Sequence, residues 1–259
     1  MRDMTAEMFS LLTRIHIPGG SRDLSVAAKQ QHLFPLVGLV VGLCATLLTV
    51  ALNAYLGKEL ILVSAGLLVV AMYYITGILH TEGLADFSDG MMASGTQERK
   101  REAMKDVHTG VGGAFALFLY LILFFALASV MCSRAGRDID PVPWPWTLTP
   151  AIGFVISEMA GKLAMNTTIF LGPSSHAGMG TVFVESASAR KLLAAMGLAC
   201  AVGVLVAGIY FAIVLTGVLA GVAVTMTARK HFGGVAGDAF GTANEIGRIV
   251  ALFAWVLIV

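Results

Sequence analysis

The sequence predicts an all-α protein, a polytopic membrane helix bundle of about seven transmembrane helices with its N-terminus on the cytoplasmic side. Three observations lead there. Of 259 residues, 57% are hydrophobic and only 13% charged, whereas soluble domains carry roughly 25% charged residues. The apolar residues fall into blocks close to the roughly 20 residues that cross about 30 Å of hydrocarbon at 1.5 Å per residue. Lysine and arginine collect at alternate ends of those blocks, as they do in cytoplasmic loops.

In order, the spans run about Leu33 to Leu56, Leu60 to Leu79, Val111 to Cys132, Trp146 to Leu171, Arg190 to Val206, Gly208 to Thr227 and Thr242 to Val259. The fifth and sixth come from one apolar run, Leu192 to Met226, which as a single helix measures roughly 50 Å and overshoots the bilayer. A tight hairpin near Ala207 to Tyr210 divides it. Arg2, Arg14, Arg22 and Lys29 precede the first span, and Arg99, Lys100, Arg101 and Lys105 follow the second. Arg190 with Lys191 and Arg229 with Lys230 mark two more cytoplasmic ends, so the C-terminus lies outside. The outer stretch holding Pro141, Pro143, Trp144, Pro145 and Trp146 reads as a rigid loop anchored at the interface by tryptophan.

One membrane domain, 1–259, is expected, with a cytoplasmic N-terminal segment (1–32), an acidic and basic segment (80–110) and a glycine-rich segment (228–245). Residues 1–31 lack the apolar run and cleavage site of a secretory signal. Cys44, Cys132 and Cys200 are far apart, with no CxxC spacing, and read as packing residues. The net charge of +1 gives no concentrated basic face for nucleic acid.

The chemistry concentrates in three segments. In His80-Thr-Glu-Gly-Leu-Ala-Asp-Phe-Ser-Asp-Gly90, Glu82, Asp86 and Asp89 stand at i, i+4 and i+7 and share one helical face. Stacked like charges destabilise a helix until a cation neutralises them, and hard oxygen donors suit Mg2+ or Mn2+. The bland reading is a solvated acidic turn; against it, charges near the bilayer are costly. Next comes Arg99-Lys-Arg-Glu-Ala-Met-Lys-Asp-Val-His-Thr-Gly-Val-Gly-Gly113, whose basic side chains and free backbone amides suit phosphate, although positive-inside anchoring also accounts for the basic residues. In the third segment, Phe232 to Arg248, many glycines allow close approach of a ligand or helix, and Asp238 and Glu245 share a face beside Asn244. Glu158 and Lys162 lie inside the fourth span at i, i+4 and are placed to pair with each other, as a functional pair or a structural one. His176 lies in a short cytoplasmic loop and is left without a role; His16, His32 and His231 show no metal spacing.

These segments carry a resemblance. Phe9-Ser-Leu-Leu-Thr-Arg-Ile-His-Ile-Pro18, Phe34-Pro-Leu-Val-Gly38, Gly77 to Gly90 as above, Met104-Lys-Asp106 with Gly110 and Gly113, and Gly234-Val-Ala-Gly-Asp238 with Glu245 are similar, in order and over nearly the whole chain, to the cobalamin synthase family of adenosylcobinamide-GDP ribazoletransferases. Two departures stand out: Glu82 where the family often has Asp, and Ser175-His-Ala-Gly-Met-Gly180 where it usually has Arg and Glu before Gly-Leu-Gly.

The resemblance implies a membrane enzyme that joins adenosylcobinamide-GDP to α-ribazole or its 5'-phosphate, with Mg2+ as cofactor and release of GMP as an acceptor hydroxyl attacks the phosphorus attached to cobinamide. On that footing Glu82, Asp86 and Asp89 are expected to hold the metal. Asp86, Asp89, Asp106 and Asp238 are the expected catalytic carboxylates, as ligands or as the base. Arg14, Lys100 and Lys105 are expected to hold phosphates, with His80, His108, Asn244 and Glu245 as further substrate contacts. The expected setting is the cell membrane with the active site facing the cytoplasm, and a homo-oligomer is left open. The rival classes are another Mg2+-dependent membrane phosphotransferase or prenyltransferase, and a transporter with Glu158 and Lys162 along its pathway.

Overall fold

In the computed structural model, residues 4–15, 23–135 and 150–259 are described. Arg2, His16, Arg22 and the Pro141 to Trp146 loop lie outside the described residues. Among the described residues all regular structure is helical, apart from one isolated bridge between Ser174 and Val235.

Two short helices, α1 (Met4–Leu12) and α2 (Leu24–Lys29), precede α3 (Phe34–Leu56). Asp23 caps α2 by accepting from the Ser25 amide, and Pro35 stands in the first turn of α3, where its missing N–H costs nothing. After α4 (Ile61–Thr76), Gly77 at φ +70° stops the helix and α5 (Leu79–Met92) starts in a new direction. The second expected span therefore ends at Thr76, and the acidic segment has a helix of its own. Thr96 caps α6 (Gln97–Met104), which leads to α7 (Val111–Arg134). There follow α8 (Gly153–Leu171), α9 (Met179–Glu185), α10 (Ala189–Ala207), α11 (Thr216–Phe232) and α12 (Gly237–Ile258).

Five helical stretches among the described residues are long and apolar enough to cross a membrane: Gln31–Leu56, Lys58–Thr76, Val111–Arg134, Ala189–Phe232 and Gly237–Ile258. The fourth contains the break expected near Ala207: Gly208 takes φ +56°, and the 3-10 segment Gly208–Leu215 packs back on α10, with Phe211 against Gly203. Positive φ at Gly208 is open to glycine and strained for most other residues.

The remaining expected span is α8, which is not one of those five stretches and is instead the axis of the bundle. From Gly153 to Ile169 every residue is buried, under α3, α10, α11 and α12. Without a hydrophobic drive between helices in lipid, close backbone approach holds such a bundle. A Cβ on Gly38 of α3 would lie 2.6 Å from the Glu158 carbonyl oxygen, and one on Gly221 of α11 would lie 2.6 Å from that of Ala164. The outward faces of α4 and α7 carry exposed Leu62, Leu67, Val70, Phe115, Phe118 and Ile122, the surface that lipid covers.

Polar groups inside the bundle close on one another. Arg248 Nε lies 2.6 Å from Glu158 Oε1, and its Nη1 donates to Glu245 Oε2 at 2.8 Å and to the Tyr120 hydroxyl at 3.0 Å. Lys162 Nζ donates to Asn244 Oδ1 at 2.6 Å, and Asn244 Nδ2 to Glu245 Oε1 at 3.2 Å. The expected Glu158 to Lys162 pairing is thus replaced by ties from α8 to α12. Two negative and two positive groups, all at most 1% exposed, balance within one network, as burial of charge requires.

Candidate functional site

The site forms where α5 crosses the start of α12. A Cβ on Gly83 would lie 3.0 Å from the Asp238 Cα, and one on Gly241 would lie 2.8 Å from the His80 carbonyl oxygen. Two glycines at this crossing let the helices touch backbone to backbone. Asp238 sits in the first turn of α12, where the helix dipole favours a negative charge. Glu82 is exposed, and Asp86, Asp89 and Asp238 are half-buried.

Asp86 is the electrostatic centre of the group. Burial first, then the charges of Asp238, Glu82 and Asp89, push its carboxyl up to about 6. Each of those influences raises it, with no cation among them. A carboxyl raised in this way takes up a proton, or a cation, more readily than an isolated one.

Asp89 is placed otherwise. Its Oδ2 accepts from the Gly110 amide at 2.7 Å and its Oδ1 from the Gly113 amide at 2.8 Å, so it closes the N-terminus of α7 from a neighbouring helix. Both glycines are needed there, since a Cβ on Gly113 would lie 2.6 Å from Asp89 Oδ2. Of Glu82, Asp86 and Asp89, expected to hold a metal, Asp89 thus has both carboxylate oxygens engaged by backbone amides. Among the described residues no three His, Cys, Asp or Glu side chains converge into a cage. Glu82, Asp86 and Asp238 are the carboxylates with free oxygens. They still suit Mg2+, which keeps several waters and takes one or two carboxylates plus substrate phosphates.

Asp238 separates two concavities. On one side is an apolar cavity of about 160 Å³, walled by Leu11, Leu24, Phe34, Met165, Phe183 and Phe240 among others, with His80 in its lining. On the other is a small cleft holding Arg101, Lys105, Ser175 and His176 beside Asp238. The isolated bridge from Ser174 to Val235 brings the α8–α9 loop to this cleft: the Ser175 amide donates to the Val235 carbonyl at 2.9 Å, and the Val235 amide to that of Pro173 at 2.7 Å. Lys105 and Arg101 lower the His176 pKa, after burial as the larger cause. Cationic side chains gathered in one cleft suit phosphate.

The other expected site residues are distributed differently. Lys100 is tied to the Met91 carbonyl at 3.1 Å and lies 3.3 Å from His231 Nδ1, joining α6 to the ends of α5 and α11. Arg14 stacks on the Tyr74 ring, 5.3 Å from its centroid, and lines neither concavity. Asp106 and His108 are exposed and pair with each other at 3.0 Å; Asp106 lines a separate surface cleft with Arg99 and Glu102. Asn244 and Glu245 belong to the buried network, engaged with Lys162 and Arg248. None of these six lines the apolar cavity or the cationic cleft at Asp238. His176, Ser175 and Arg101 take their place. In the sequence the basic run 99–105 signals Arg101, while the loop of Ser175 and His176 stands out only as a departure from the family's pattern, because it is positioned by pairing with a segment 60 residues later (175 to 235).

Known proteins resemble the chain over most of its length. The family described as Cobalamin-5-phosphate synthase matches residues 5–256. The chain is 32% identical to the Adenosylcobinamide-GDP ribazoletransferase of Methanocella arvoryzae, covering 94% of this chain and 91% of that protein. It is 33% identical to the protein of the same name from Thermococcus kodakarensis, over 95% and 97% respectively, and 30% identical to that of Methanococcoides burtonii, over 94% and 88%. No solved structure matches the chain. With a match that runs almost from end to end, the chain belongs to the cobalamin-5-phosphate synthase family.

Proposed function

We propose that this protein joins adenosylcobinamide-GDP to α-ribazole or its 5'-phosphate, giving adenosylcobalamin or its 5'-phosphate and releasing GMP. One observation supports the reading most: Asp238 stands between an apolar cavity and a cationic cleft, beside Asp86. A group-transfer enzyme needs such a junction, because acceptor and phosphate have to meet in line at one point.

In this reading the pyrophosphate of adenosylcobinamide-GDP lies along Arg101, Lys105, Ser175 and His176. Glu82, Asp86 and Asp238 would hold Mg2+, which when bound supplies neutralisation of the phosphate charge. A ribose hydroxyl of the acceptor attacks the phosphorus next to cobinamide, the bond to the bridging oxygen breaks, and GMP leaves. The hydroxyl proton passes to a carboxylate at the junction, and Asp238, which faces both spaces, is the base we assign. The basic residues of α6 and the end of α11 gather at the same end of the bundle through the Arg101 to Phe232 and Gln97 to Lys230 hydrogen bonds. By the positive-inside rule this end faces the cytoplasm of the cell membrane, with the N-terminus on the same side.

The experiment is GMP release from adenosylcobinamide-GDP and α-ribazole by the detergent-purified protein, with Mg2+ and with EDTA. Asp86→Asn is expected to lower turnover by at least about 10²-fold while the protein still inserts and purifies normally. Undiminished turnover in that variant, or full activity in EDTA, overturns the assignment.

A further inference from the structure

Glu82 and Asp86 stand on α5 and Asp238 on α12, and the charge of Asp238 reaches Asp86 as that of Glu82 reaches Asp238. Three like charges spread over two helices repel, so the crossing is pushed apart at the end where they meet. Gly83 and Gly241 let the backbones approach there, yet contact between glycine and backbone has little direction of its own. One group supplies direction. The Thr242 hydroxyl, on a residue 3% exposed, reaches the Gly83 carbonyl across the crossing at 3.2 Å and the Asp238 carbonyl of its own helix at 2.8 Å. Among the described residues Thr242 is the only side chain that hydrogen-bonds between α12 and α5, whereas Asn244 and Arg248 both tie α12 to α8.

We propose that Thr242 is a positioning residue: by bridging the Gly83 and Asp238 carbonyls it fixes the separation of α5 and α12, and so holds Glu82 and Asp86 at the distance from Asp238 that a divalent cation requires. The inference rests on the transferase reading above and on its assignment of these three carboxylates to the metal. Gly83 directly follows Glu82 and stands three residues before Asp86, on the same helical face as Asp86. Thr242 stands one turn after Asp238. A hydroxyl shared by these two carbonyls therefore joins the two backbone segments that carry the carboxylates. A site of this kind has to be held within about 0.5 Å, so a slight opening of the crossing weakens metal binding before it unfolds the bundle.

The test is Mn2+ binding by the detergent-purified protein without substrate, read from the electron paramagnetic resonance signal of the free ion. Thr242→Val keeps the side-chain shape and removes the hydroxyl, and its Kd for Mn2+ is expected to lie about three- to ten-fold above that of wild type. Thr242→Ser, which restores a hydroxyl, should return the Kd to within about two-fold of wild type. Thr225→Val is the control for a purely structural loss. Thr225 is also buried and also bonds to the carbonyl four residues back, that of Gly221 on α11 at 2.7 Å, and its variant should bind Mn2+ as wild type does. Thr242→Ala removes the same hydroxyl and serves if Thr242→Val does not purify. With both substrates present, the Mg2+ concentration for half-maximal GMP release should rise by the same factor as the Kd, with KM for α-ribazole unchanged. A Kd that stays at the wild-type value without the Thr242 hydroxyl, one that rises equally in Thr225→Val, or wild-type protein that binds no Mn2+ overturns the positioning role, and GMP release by wild type then still upholds the transferase reading. Absence of GMP release from a wild-type protein that binds Mn2+ overturns the transferase reading instead.

Discussion

Glu158 and Glu245 in the middle of the bundle have Arg248 within 2.6 to 2.8 Å, whereas Asp86 at the α5–α12 crossing has only Glu82, Asp89 and Asp238 as charged company. The same side-chain type thus occurs in two electrostatic conditions. In the first region each carboxylate is answered by a protein cation, and Glu158, Lys162 and Arg248 line neither the apolar cavity nor the cationic cleft. In the second region the charges acting on Asp86 are all negative. The difference separates carboxylates neutralised inside the bundle from carboxylates left open at the α5–α12 crossing.

The comparison breaks most visibly at Arg248. Arg248→Leu leaves two buried carboxylates without their cation, and is expected to destabilise the protein by about 3–5 kcal/mol, measured as loss of the folded fraction on heating in detergent. A variant that stays as stable as wild type but loses turnover would move Arg248 into the working region. Acidification probes the other side. Because the Asp86 carboxyl is pushed up to about 6, protons compete with a metal at that carboxylate once the pH falls through that value. The Mg2+ concentration giving half-maximal activity should therefore rise by up to about ten-fold per pH unit below 6 and stay level above it. A requirement that is flat from pH 5 to 8 would dissociate Asp86 from the metal.

Asp89 lies on the border between the two regions. Asp89→Ala removes the acceptor of the Gly110 and Gly113 amides and is expected to cost about 1–2 kcal/mol of stability. Thermal unfolding set beside kcat at saturating Mg2+ separates this from a ligand role, in which turnover would collapse as in Asp86→Asn with stability intact. The smallest change belongs to Asp106→Asn, an exposed residue paired only with exposed His108. Its turnover should stay within about two-fold of wild type, and a loss comparable to Asp86→Asn would return Asp106 to the catalytic group.

Much of this was legible in the sequence because it depends on local spacing. Apolar block length fixed the helical spans, the excess length of Leu192 to Met226 forced a break that Gly208 makes, and the period of helix α5 put Glu82 and Asp86 on one face. Residues whose meaning depends on a distant partner were not legible in this way. Asp89 has the spacing of a third ligand, yet the amides it meets are 21 and 24 residues away. Asn244 and Glu245 are expected from the sequence as substrate contacts in the glycine-rich segment; they are buried because α12 turns that face onto α8.

By itself, then, the sequence determined that this is a membrane helix bundle with an acidic segment near a basic one, since hydrophobicity, charge and helical period are properties of neighbours along the chain. Only the tertiary structure decided which carboxylates are neutralised and which are left open, that Ser175 and His176 join Lys105 at a cleft, and that His80 is buried with neither ring nitrogen partnered among the described residues. The physical reason is that desolvation and Coulomb energy depend on distance in space, and helices crossing at glycines bring together groups that the chain keeps more than 100 residues apart.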